Sequence, residues 1–162
     1  MATIIIEDGS VVAGANSYVT EAELTTYAAD RGITLTAATD VLLIKAMDYI
    51  ESLAFTGTKF SEGQPLQWPR SNVYIDGFYF VPTIIPPALQ TGQIATALAI
   101  DSDNGPLATV GRSTKREKVD VIEVEYMSSS AAQPIVKTIN AAMRMILVNG
   151  GSSTTTFAVT RA

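Results

Sequence analysis

Residues 37–54, Ala37-Ala38-Thr39-Asp40-Val41-Leu42-Leu43-Ile44-Lys45-Ala46-Met47-Asp48-Tyr49-Ile50-Glu51-Ser52-Leu53-Ala54, read as one amphipathic helix. Leu43, Met47, Ile50 and Ala54 recur at intervals of four, three and four, while Asp40, Lys45, Asp48 and Glu51 lie mostly off that stripe. A stripe of this kind is ordinarily one wall of a core, which makes helix packing the expected architecture.

Upstream, Thr20 followed three residues later by Glu23 is a capping box, in which each residue satisfies an orphan amide of the other. Leu24, Tyr27 and Ala28 give that helix its apolar face, and Gly32 supplies the stop. Downstream, Pro86-Pro87 suits a helix start. The stretch that follows holds Leu89, Ile94, Ala95, Ala97, Leu98, Ala99 and Ile100, nearly apolar all round towards its end, which places it at the centre of a bundle. Pro134 opens a last helix through Ile135, Ile139, Met143 and Ile146, ended by Asn149-Gly150. The expectation is a mainly α, single-domain helical bundle over 1–162, with about four helices at 20–31, 37–54, 87–102 and 134–148.

Around this bundle the sequence predicts a long β-arm and short terminal strands that pair within or between subunits. Thr3–Ile6 and Val11-Val12 flank the Asp8-Gly9 turn within an N-terminal strand region, 1–15. The tail 150–162 carries β-prone Thr154–Thr160 beyond a Gly-Ser linker. Between the second and third helices, 55–87 is broken by Gly and Pro, and such long connections usually carry elements of their own. Tyr74–Phe80 reads as a hairpin around Asp76-Gly77, with Trp68, Tyr74, Phe78 and Phe80 expected to pin the loop and Trp68, Pro69 and Arg70 to serve as its structural anchors.

The chain has 162 residues, 47% hydrophobic, with no cysteine and no histidine. Disulfides, thiolate nucleophiles, the usual general base and the commonest metal ligand are therefore absent, and no catalytic residue or cofactor is assigned. Asp101-Ser102-Asp103-Asn104-Gly105 resembles the start of a calcium loop, but its glycine comes one position early and Arg112 stands where the bidentate glutamate belongs, so no metal site is assigned. Neither Ser128-Ser129-Ser130, without a neighbouring base, nor Gly150-Gly151-Ser152-Ser153, without a lysine, carries chemistry. No signal-peptide core or membrane span is evident, which points to a soluble protein made in the cytoplasm.

Segment 111–127 remains. Four of the eleven basic residues, Arg112, Lys115, Arg116 and Lys118, precede a strand dense in Val119, Val121, Ile122, Val124 and Tyr126, with a register change that predicts a bulge between Val121 and Ile122. A lone strand must pair with the N-terminal strand, the C-terminal tail or another subunit. The cluster suits a phosphate-contacting arm, a docking arm or a solvated loop; a net charge of −5 disfavours strong nonspecific nucleic-acid binding. These nine residues are the candidate contacts to another chain, a partner or a neighbouring subunit.

Several short signatures together resemble a known family: Ala15-Asn16-Ser17-Tyr18-Val19, Ala46-Met47-Asp48-Tyr49-Ile50, Phe55-Thr56-Gly57-Thr58-Lys59, Gln67-Trp68-Pro69-Arg70, Ile85-Pro86, and Glu117-Lys118-Val119 through Ile122-Glu123-Val124-Glu125-Tyr126. In order and spacing they are similar to the tailed-bacteriophage head-to-tail connector, or neck adaptor, proteins often labelled DnaT-like single-stranded DNA-binding protein. The resemblance implies a virion protein of the neck, assembled from host cytoplasm as a homo-oligomeric ring, a dodecamer. Its implied partners are the portal protein, the tail or next neck protein, and packaged DNA in the channel without sequence-specific contact; no membrane is involved. The family's common label implies the alternative, a single-stranded DNA-binding protein of phage replication.

Overall fold

The computed structural model describes residues 2–102, 116–119, 122–125 and 134–148. In chain order these form α1 (Glu21–Ala29), α2 (Thr39–Glu51), β1 (Thr58–Lys59), β2 (Arg70–Ser71), β3 (Tyr74–Ile75), β4 (Phe78–Tyr79), α3 (Pro87–Asp101), β5 (Arg116–Val119), β6 (Ile122–Glu125) and α4 (Pro134–Met143). The strands make three separate antiparallel pairs, β1–β2, β3–β4 and β5–β6. The fold is therefore mixed α/β, which corrects the mainly α bundle predicted from helical periodicity. The strands β1 and β2 were missed because Thr58–Lys59 and Arg70–Ser71 pair across a long loop, through contacts that no local period announces.

α1 starts at the capping box. Glu23 N–H donates to Thr20 Oγ1 (3.1 Å) and Thr20 N–H to Glu23 Oε2 (2.6 Å). It ends where Gly32, at φ +65°, lets Ile33 N–H reach back to Ala28 O (2.9 Å). α2 has no side-chain cap of its own. Instead the Asp101 carboxylate, at the end of α3, accepts from Ala37 N–H (2.8 Å), the Thr36 hydroxyl (2.8 Å) and Thr36 N–H (3.1 Å). Burial pushes the Asp101 carboxyl up, but these donors outweigh it and hold it below its ordinary value. The acidic stretch read as a failed calcium loop thus begins with a residue that ties α3 to the approach of α2.

α3 is the central helix, packed against α1, α2 and α4. Its buried positions run round the axis: Leu89, Gly92, Gln93, Ile94, Thr96, Ala97 and Ala99. Leu24, Leu42, Leu43 and Ala97 belong to one apolar cluster, while Met47, Ile50, Leu89, Ile139, Met143 and Ile146 belong to another. Fully burying a side chain of this size is worth roughly 1.5–3 kcal/mol. Between them, buried Gln93 accepts from Tyr18 N–H (2.9 Å) and donates to Ser17 Oγ (2.8 Å), so its polar atoms are matched.

Two predicted extensions are replaced by other pairings. The last helix stops at Met143 because the chain then turns to bridge Phe55 with Leu147, and Thr56 N–H donates to Ile146 O (2.9 Å). The N-terminal hairpin does not form. Glu7, only 1% exposed, takes the amides of Gly9 (2.9 Å), Val11 (3.0 Å) and Val12 (2.9 Å) that a strand ladder would need, and Val11 sits at φ +63°. Ile6 bridges Ser17 instead. The predicted C-terminal strand lies outside the described residues.

Candidate interaction surface

The segment between α2 and α3 is built on Arg70. Its guanidinium donates to Thr56 O (2.7 Å), Gly57 O (2.8 Å), Gln67 Oε1 (3.0 Å), Gln67 O (3.3 Å) and Phe55 O (3.3 Å). The fork geometry of arginine lets one side chain satisfy carbonyls from both ends of the loop. β1 and β2 then pair across the same gap, Thr58 opposite Ser71 and Lys59 opposite Arg70.

Trp68 is fully buried, meeting Phe55 and Phe80 edge to face at centroid distances of 6.2 and 6.0 Å, and its peptide bond to Pro69 is cis. Its backbone N–H donates to the Tyr18 hydroxyl (3.1 Å), which in turn donates to Glu51 Oε1 (3.0 Å), while Gln67 N–H donates to Glu51 Oε2 (2.8 Å). The irregular segment is thereby held to α2 through Tyr18 and Glu51. Burial, and then the charge of Glu51, pushes the Tyr18 hydroxyl up. Burial also raises Glu51 in spite of its hydrogen bonds, and lowers Arg70.

On this base stands the β3–β4 hairpin, turned by Asp76 (φ +52°) and Gly77 (φ +83°) as the Asp-Gly pair predicts. Tyr74 lies opposite Tyr79, with ring centroids 5.7 Å apart. Val73 and Phe80, joined by Phe80 N–H to Val73 O (2.9 Å), turn towards the core. Tyr74, Phe78 and Tyr79 do not: they are 63%, 78% and 52% exposed. Tyr74 and Phe78 are therefore not the loop pins they were predicted to be. Register explains Tyr74 and Tyr79, which lie on the face opposite Val73, Ile75 and Phe80; Phe78 pairs with Ile75 on the core-side face but sits next to the turn and is exposed there.

Phe60, Val81 and Ile84 are also exposed, so the 60–84 segment offers six large apolar side chains to water. Its charged residues are Glu62, Arg70 and Asp76, and the only cation among them, Arg70, is 9% exposed and occupied by carbonyls. This segment is apolar and aromatic, with Glu62 and Asp76 within it and exposed Lys59 beside Phe60. Sequence reasoning missed it by reading Tyr74 and Phe78 as anchors; the Asp-Gly turn was the signal for the register that puts Tyr74 and Tyr79 on the face away from Phe80.

The predicted arm is divided. Arg112, Lys115, Val121 and Tyr126 lie outside the described residues. Arg116, Lys118 and Val119 fall on β5, and Ile122 and Val124 on β6, which pair as Arg116 opposite Glu125, Glu117 opposite Val124, Lys118 opposite Glu123 and Val119 opposite Ile122. The predicted lone strand is thus a hairpin that satisfies its own ladder, and it needs no terminal strand to do so. Each basic position in it faces an acidic one across the ladder. The predicted bulge lies outside the described residues.

Among the described residues no cluster of three acidic side chains could hold a metal ion, and no helix is long and apolar enough to cross a membrane. The fold and surface define a small mixed α/β protein equipped with an outward-facing aromatic hairpin and a charge-matched one. A family described as "Putative DnaT-like ssDNA binding protein" matches residues 2–162, and the chain belongs to that family. No curated protein and no solved structure matches it.

Proposed function

We propose that this protein acts by binding and assembly and not by catalysis, as a structural subunit of the head-to-tail connector of a tailed bacteriophage, ringed around the DNA channel between portal and tail. The observation that carries this is the 60–84 segment, where six exposed apolar side chains stand with exposed Lys59 only at its edge. Apolar, aromatic-rich patches of this kind suit protein partners. The register that sets positions 116 and 118 opposite Glu125 and Glu123 adds support, since it alternates basic and acidic positions across the ladder. The resemblance of the quoted motifs to neck adaptors supplies the ring, the portal and the tail as partners. Negative-stain electron microscopy of the purified protein should show rings; particles of monomer size only, at every concentration tried, would discard this function.

A second reading, single-stranded DNA binding, is the one the family's description speaks for, and on that count it is better backed than the connector. Exposed Tyr74, Phe78 and Tyr79 are the groups on which bases could stack. Anisotropy of a labelled oligonucleotide at low salt tests it: binding that falls steeply with salt and is lost when Lys115, Arg116 and Lys118 become alanine would favour it over assembly.

A further inference from the structure

We propose that residues 4–12 form a releasable strap with two exclusive states, the docked loop seen in the structure and a β-hairpin turned at Asp8-Gly9. The proposal is independent of the assembly reading. In the docked state Ile5 N–H donates to Asn16 Oδ1 (2.8 Å), Ile5 O accepts from Asn16 N–H (2.9 Å) and Ser17 N–H (3.2 Å), and Glu7 N–H donates to Ser17 O (2.9 Å). One side chain holds the return of the chain: Glu7 Oε1 accepts from the amides of Gly9 and Val11, and Oε2 from that of Val12.

Two observations point to the second state. The first is strain. Val11 sits at φ +63°, an outlier for a β-branched residue that persists only where the surroundings enforce it, and here the Glu7 carboxylate enforces it by holding the Val11 amide. The second is competition for the same backbone groups. A two-residue turn at Asp8-Gly9 would set Glu7 opposite Ser10 and Ile5 opposite Val12 as hydrogen-bonded pairs. Those pairs need the N–H and C=O groups of Ile5 and Glu7, which the docked strap gives to Asn16 and Ser17. Ile4, Ile5, Ile6, Val11 and Val12 are β-branched and favour the hairpin, and none of them is fully buried in the docked state, so docking gains little apolar burial to set against that preference. Local preference and tertiary placement conflict in this segment, as they do at elements built to change state.

Opening has a consequence at the edge of the apolar 60–84 segment. Gly9 lies so close to Thr83 that a Cβ would run into Thr83 O, and Ile6 and Glu7 join Ile84 and Ile85 in walling a cavity of about 360 Å³. Release of the strap opens that cavity on its Ile6–Glu7 side, next to exposed Ile84.

Hydrogen exchange of the full chain, followed by NMR, tests the proposal. The amides of Gly9, Val11 and Val12 should exchange through an opening that leaves those of α3 protected. Val11→Gly relieves the positive φ of the docked state and weakens the strand of the open one, so protection of Gly9 and Val12 should rise about fivefold. Glu7→Gln should lower that protection about tenfold with α3 unchanged, and Asn16→Ala, at the other anchor, repeats the test should Glu7→Gln fail to fold. In the opened variant, cross-strand proton contacts between Ile5 and Val12 should appear. Exchange of strap and α3 at one rate, a fall in protection in Val11→Gly, or an opened strap without the Ile5–Val12 contacts would each overturn the proposal.

Discussion

Arg70 is the residue on which the loop between α2 and α3 depends. Its guanidinium serves carbonyls of Phe55, Thr56, Gly57 and Gln67, groups that lie at both ends of the connection. Arg70→Ala would leave several of them without donors, and hydrogen bonds to a charged group contribute about 1.5–3 kcal/mol each, so a loss of about 3 kcal/mol in urea unfolding is expected. Arg70→Lys should recover less than half of that, because an ammonium cannot reproduce the planar fork. Glu51 gives a second test through pH. Its carboxyl is raised above its ordinary value of 4.5 by burial, so the folded protein holds the proton more tightly than the unfolded chain. The stabilising contribution is then fully present below about 4.5 and is lost as pH rises through the folded value. Glu51→Gln removes the titration. The stability of the unsubstituted protein minus that of Glu51→Gln should fall between about pH 4.5 and neutrality, measured from denaturation curves across that range. A difference that is flat or rises with pH would contradict the burial of this carboxylate.

Among the elements, the helices were legible because their signals are local. Thr20 with Glu23, Pro87, Pro134 and the Leu43-Met47-Ile50 period each act within a turn or two of chain, and α1 to α4 begin within two residues of the predicted starts. The strands β1 and β2 were not legible, since Thr58 meets Ser71 through a loop closed by buried Arg70 and Trp68, and no short window contains that fact. Val11-Val12 looked like a strand on propensity, yet Glu7 captured its amides. The candidate surface was half legible: Asp76-Gly77 announced the hairpin, but the outward placement of Tyr74 and Tyr79 needed the core on its other side, and the exposure of Phe78 needed the core to end short of the turn. This placement yields a separable outcome. Phe78→Ser removes an apolar side chain that is 78% exposed, so stability should change by no more than about 0.5 kcal/mol while self-association weakens. Parallel unfolding and sedimentation measurements decide it, and equal losses in both would make the ring a packing residue. Gly92 tests the α3–α4 contact in the opposite sense. A Cβ there would run into the Met143 side chain, so Gly92→Ala trades a helix-propensity gain of about 1 kcal/mol against overpacking of about 1–3 kcal/mol, for a net loss of about 1 kcal/mol in unfolding.

For the whole molecule, charge separates the two functional readings by sign. Each chain carries a formal net charge of −5, so copies brought together repel one another while their apolar surfaces attract. Salt shortens the reach of that repulsion, from a Debye length of about 10 Å at 0.1 M to about 3 Å at 1 M, and leaves apolar burial intact. Self-association of an assembly subunit should therefore strengthen as salt rises. A phosphate-bound complex behaves in the reverse way, because each neutralised phosphate releases a counterion and the binding constant falls by a power of the salt concentration. Arg70 is occupied by carbonyls and positions 116 and 118 lie opposite glutamates, so Arg31, Lys45, Lys59, Lys137 and Arg144 are the described cations left to drive such release. Sedimentation equilibrium and oligonucleotide anisotropy across one salt series thus place the readings on opposite slopes. Association that grows with salt beside weak, shallow DNA binding is the expected result; association that dissolves with salt while DNA binding is tight at low salt would transfer the function to the nucleic acid.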